Sequence, residues 1–110
     1  MGSTTRRGLM CAALAAGLAV LPALARAQNA QTLPSQSLAA TCAACHGTQG
    51  RAIVGATVPG LAGQPAPYLS EQMKGFKSGG RPATVMHQIA KGYSDAQIEQ
   101  LAAYFAAQKK

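Results

Sequence analysis

Acidic side chains are scarce in this sequence, and so are aromatic ones. Three Asp and Glu stand against ten Lys and Arg, a formal net charge of +7 over 110 residues. There is no tryptophan, and three tyrosines and two phenylalanines make up the aromatic complement. The basic residues do not gather into a stripe with aromatics between them, which argues against a nucleic-acid binder. No apolar run is long enough to span a bilayer: Leu9 to Leu21 is uncharged for 13 residues, where a spanning helix needs about 20. Beyond that run no strand-like alternation occurs, which points to an all-α chain. This length allows at most one domain, and so few aromatics make a thin core. Scaffolds of this size commonly need a disulfide, a metal or a cofactor inside them.

What is present at the start is a leader pattern. Arg6 and Arg7 precede the uncharged run, Pro22 breaks it, and Ala25-Arg26-Ala27 puts small residues where a signal peptidase reads. That order predicts a secretory signal peptide over 1–27, removed to leave a domain of 28–110, rather than a retained anchor. The expected location is the periplasm. Without the leader the charged residues are Arg51, Lys74, Lys77, Arg81, Lys91, Lys109 and Lys110 against Glu71, Asp95 and Glu99, a net of +4. An excess of that size suits docking to an acidic partner.

Along the expected domain, Gln28 to Leu33 is polar. Pro34 fits a helix's first turn, and Leu38, Ala39, Ala40, Ala43 and Ala44 continue a helical run that Gly47 and Gly50 end. Thr48 to Gln64 holds four glycines and one proline with no amphipathic period. A loop that long in a compact domain normally has a function or wraps a ligand. Leu69, Met73 and Phe76 recur at helical spacing in Pro65–Phe76, followed by a break at Lys77 to Pro82. A short helix is predicted over Val85–Lys91, ending at Gly92. Ser94 with Gln97 forms a capping-box pattern that opens a last helix, Asp95–Gln108, with Ile98, Leu101, Ala102 and Phe105 on its apolar face. There are no internal repeats.

The chemistry lies in Cys42-Ala43-Ala44-Cys45-His46, the C-x-x-C-H pattern of covalent haem attachment. Two thiols at this spacing reach two vinyl positions on one porphyrin edge, and the next residue presents an imidazole to the iron. With this composition a chance match has a probability of about 0.0014, so the pattern is specific. A thioredoxin-like pair needs a βαβ setting, and none is visible. A disulfide leaves His46 without use, and a zinc site would have only His87 to add. Cys11 lies in the leader. Thr4 to Leu9 is similar to a twin-arginine signal; that route carries folded cargo, whereas haem is normally attached to an unfolded exported chain, so an ordinary positive n-region is the preferred reading.

Candidates for a second axial ligand are Met73, Met86 and His87. Met86 follows the Gly/Pro-rich break, where a chain folded around a disc brings a thioether to its far face. Met73 shares the apolar stripe of Leu69 and Phe76, a setting typical of core methionines. His87 reads as a surface polar residue. Pro59, 13 residues after His46, is either a plain turn proline or the source of a carbonyl that accepts the His46 Nδ1 proton.

With these residues in view, the chain resembles the class I c-type cytochromes over nearly all of 28–110. The resemblance rests on Cys42 to His46, Val58 to Leu61, Tyr68-Leu69 with Gln72 and Phe76, Met86, Gly92 to Asp95, and Leu101 to Phe105. It implies about four short helices and long loops around one covalent haem c. It implies His46 and Met86 as iron ligands, the Pro59 carbonyl supporting His46, and first and last helices that cross with Leu38 near Leu101 or Phe105. Met86 to Asp95 is also similar to the haem subunit of flavocytochrome c sulfide dehydrogenases and to halves of dihaem cytochrome c4; one attachment motif makes this chain monohaem. The expected function is single-electron transfer by Fe(II)/Fe(III) cycling, with no catalytic residues in the chain. It would act either as a freestanding carrier or as the haem subunit of a sulfide-oxidising complex fed by a flavoprotein. A haem sensor or peroxidase with an open axial site is the third reading, and it requires that Met86 stay off the iron.

Overall fold

A computed structural model describes residues 33–110. The expected leader with Cys11, and the polar residues 28–32, lie outside the described residues. The described residues form helices joined by loops, with no strand among them. In chain order come α1 (33–40), α2 (Ala43–His46), a 3₁₀ turn (Thr48–Gly50), α3 (Ala66–Ser78), α4 (Met86–Lys91) and α5 (Asp95–Ala106). None is long and apolar enough to cross a membrane.

The run expected as one helix through Ala44 is two. At the join, the Thr41 hydroxyl donates to the Leu38 carbonyl at 2.9 Å. The Cys42 N–H reaches back only three residues, to Ala39 at 3.1 Å. A side chain that competes for backbone partners, with the tighter hydrogen-bond step, ends one helix and starts the next.

α3 follows Pro65 and carries Pro67 in its first turn, where a missing N–H leaves no gap in the ladder. It runs two residues past the expected Phe76. Gly79, left-handed at φ 82°, stops it by donating its N–H to the Phe76 carbonyl. α4 begins one residue late, because Val85 at φ −130° has not entered the helix. α5 opens on the expected capping box: Ser94 accepts from the Gln97 N–H, and the Gln97 side chain accepts from the Ser94 N–H. It ends at Ala106, two residues before Gln108, whose side chain donates to the Tyr104 carbonyl at 2.8 Å.

The core joins Ala39 of α1, Leu69 of α3, and Leu101, Ala102 and Phe105 of α5, with Leu38 packed against it. Burying each Leu or Phe there contributes about 1.5–3 kcal/mol. Helix α3 is the hub, packing on both α4 and α5. At its surface, Lys74 pairs with Glu99 at 2.5 Å and Lys77 with Asp95 at 2.7 Å, tying α3 to α5.

The long segment between the 3₁₀ turn and α3 is fastened at Gly50. Its carbonyl accepts the N–H groups of Leu61 and Ala62 at 2.7 and 3.0 Å. Its φ is +75°, and a Cβ there would stand 2.7 Å from the Phe105 ring. Only glycine lets the loop close this tightly on α5.

Candidate cofactor site

Helix α2 is one turn long and ends at His46. Gly47 follows at φ +83°, and a Cβ there would fall 1.7 Å from the Arg51 carbonyl oxygen. The chain therefore turns sharply behind the imidazole, which is buried to 9 % exposure. His46 Nδ1 lies 2.7 Å from the Pro59 carbonyl oxygen. A carbonyl can only accept, so Nδ1 carries the proton, and in the neutral imidazole Nε2 is the nitrogen available to ligate.

Cys42, Cys45 and His46 line one cavity of about 270 Å³ together with Pro59 and Met86. Its walls are largely apolar, with Val58, Leu61, Leu69, Phe76, Ile89 and Leu101 among them. Neither thiol is in a disulfide; Cys42 is half-buried and Cys45 exposed. Burial pushes the Cys42 thiol above its ordinary range, the Thr41 hydroxyl pulls it the other way, and Cys45 adds to the rise. Among the described residues no three His, Cys, Asp or Glu side chains cluster to hold a metal ion.

Met73 lines the same cavity as Met86, so the apolar stripe of α3 also faces the site. His87 is not among the lining residues; its Nδ1 is buried without a hydrogen-bond partner. Sequence reasoning assigned no role to Arg81, Thr41 or Tyr93, all of which line the cavity. Among the described residues lining it, Arg81 carries the one permanent charge. Its guanidinium lies 4.5 Å over the Phe76 ring and donates to the Gln72 side chain. The signal for Arg81 was its place directly after Gly79-Gly80, where α3 ends and the chain folds back on it: the Arg81 N–H donates to Gly75 at 3.0 Å.

The residues suit a flat apolar macrocycle with acidic substituents. Two thiols stand at one helical turn, an imidazole has its second nitrogen engaged, a thioether comes from a separate helix, and one cation sits in an otherwise uncharged lining. The model for the cytochrome c family matches residues 32–109 of the chain. The chain belongs to the cytochrome c family. The cofactor of this cytochrome is haem c, covalently bound, and a domain of this kind moves single electrons.

Its relatives include the thiosulfate dehydrogenase electron acceptor of Thiomonas intermedia, 40 % identical over 89 residues, or 81 % of this cytochrome and 41 % of the relative. Cytochrome c-554(548) of Halomonas halodenitrificans is 40 % identical over 63 % of this cytochrome and 86 % of the relative. The cytochrome subunit of sulfide dehydrogenase from Chlorobaculum tepidum is 38 % identical, covering 62 % and 60 %. This cytochrome thus spans less than half of the first relative and most of the second.

Proposed function

We propose that this cytochrome is an exported single-electron carrier whose haem is tied by thioethers to Cys42 and Cys45, with His46 and Met86 as axial ligands. The observation that carries this reading is one cavity collecting both thiols, the Pro59-bonded imidazole and the Met86 side chain. Haem c supplies an iron that accepts and releases one electron. The protein's residues set how easily. The Pro59 carbonyl orients His46 and makes it a stronger donor. A thioether as the second ligand raises the potential relative to two imidazoles. The largely apolar walls suit the faces of the macrocycle, and Arg81 offers a charge partner for an acidic substituent.

Residues 1–27 act as a cleaved leader in this reading, leaving 28–110 in the periplasm, with redox proteins as partners and no chemistry on a substrate by the chain itself. The test is an absorption spectrum of protein matured in a haem-ligating host, native and as the pyridine haemochrome, with the intact mass. A mass equal to that of the bare polypeptide sinks the proposal. A far-red thioether-to-iron band in the oxidised form supports Met86, and a readily formed carbon monoxide adduct favours the open-site sensor or peroxidase.

The likeness to a sulfide dehydrogenase subunit supports a second reading, a haem subunit fed by a flavoprotein. A flavoprotein co-purifying at fixed stoichiometry would establish it, and a monomer from native extracts would remove it.

A further inference from the structure

Two hydroxyls on the cavity wall join parts of the chain that are far apart in sequence. Tyr93 Oη lies 2.9 Å from Thr41 Oγ1 across 52 residues. The direction of the bond follows from proton counting. Thr41 has one hydroxyl proton, and its oxygen lies 2.9 Å from the Leu38 carbonyl, which can only accept. Tyr93 is therefore the donor to Thr41. The same Thr41 oxygen is 3.9 Å from Cys42 Sγ.

The place of this bond matters more than its strength. Thr41 sits in the turn between α1 and α2 and adjoins the attachment motif. Tyr93 sits between α4 and α5, packs against the core, and precedes the Ser94 cap. Helix α4, which begins at Met86, packs on α3, whereas α2 packs on the 3₁₀ turn. The two segments that present the cavity's ligating groups thus lean on different neighbours. α4 is six residues long and its N-cap, Val85, makes no side-chain cap bond. Little within α4 itself fixes its distance from α2.

We propose that Tyr93 is a positioning residue: its hydroxyl, donated to Thr41, clamps the segment carrying Met86 to the segment carrying Cys42, Cys45 and His46. The clamp rests on the reading of Met86 as an iron ligand. It acts on ligand retention, since breaking it leaves the ring of Tyr93 packed while freeing the α4–α5 junction to move away from the attachment side.

The experiment uses the haem-loaded protein in the oxidised state, as parent, Y93F, T41V and T41S. The thioether-to-iron band is followed on warming beside far-UV circular dichroism. In Y93F and T41V the band should vanish at a midpoint several degrees lower than in the parent, a displacement larger than that of the helix melt, because the lost hydrogen bond acts on the ligand-bearing segment before the fold as a whole. T41S, which keeps the hydroxyl, should match the parent. Overturning results are a Y93F band that persists to the parent's midpoint, or band and helix melts displaced in parallel. A parent lacking the band refutes the Met86 assignment before any variant is compared, and the clamp falls with it.

Discussion

Residues 33–64 and residues 65–106 are built on different terms. The second stretch is three helices with standard stops: a proline in a first turn, a left-handed glycine, a reciprocal capping box, and an apolar face buried between α3 and α5. The first is an interrupted helix, a single turn bearing His46, a 3₁₀ turn and a loop, held at a few points by Gly47, Gly50 and Pro59. From Arg51 to Thr57 every residue is exposed. The contrast shows where the cofactor contributes most: the helical part supplies four of the five core residues, whereas the attachment part adds Ala39, with Leu38 and Leu61 alongside, and presents both cysteines and His46 to the cavity.

The sharpest way to break this contrast is to remove the thioethers. C42A/C45A protein should show no haem staining after denaturing electrophoresis. It should also lose its cooperative melt, because a thin core cannot offset ordering about 80 residues at ~1–2 kcal/mol each for the backbone. A sharp thermal transition in the haem-free variant would show that the two stretches fold without the cofactor. Retained staining would refute the attachment residues.

How much of this was legible beforehand follows the same division. The limits of α3, α4 and α5 lie within two residues of those expected, because glycine stops, a capping box and helical spacing act locally. The Cys42–His46 pattern announced the haem for the same reason, since its meaning is contained in five consecutive residues. The break at Thr41 was missed because it depends on which carbonyl a hydroxyl chooses. Arg81 and the Thr41–Tyr93 pair were missed because their positions on the cavity wall are set by how α3, α4 and the attachment turn fold together. Met73 shows the limit of pattern reading: its helical stripe is real, and that stripe also faces the cofactor cavity.

Point substitutions sharpen the contrast further. Ile98 is fully buried on α5, at 0 % exposure. I98A should cost about 2–5 kcal/mol in denaturant melts of the haem-loaded protein, with helix and haem signals lost together. G50A should cost less, about 1–3 kcal/mol, from a left-handed backbone and a contact with the Phe105 ring. Its effect should be felt first at the site, because Gly50 fastens the loop that brings the Pro59 carbonyl to His46. Equal displacement of helix and haem signals in G50A would show that the loop and the helices form one cooperative unit.

The smallest effect expected belongs to the surface network across α3 and α5, and it depends on pH. The Glu99 carboxyl is held below its ordinary range, first by Lys74 at 2.5 Å and then by the Ser70 hydroxyl at 2.6 Å; Lys77 does the same for Asp95. A carboxyl whose folded-state pKa is depressed stabilises the fold above its unfolded value, and that contribution is lost as pH falls through the folded one. Stability should therefore decline below about pH 4.5, near the unfolded carboxyl values, and the decline should be shallower in E99Q. Near neutrality E99Q should differ little from the parent, and less still in high salt, because these groups face water. Parallel profiles for E99Q and the parent would show that the Lys74–Glu99 pair contributes nothing to acid stability, leaving Lys77–Asp95 as the pair to test next.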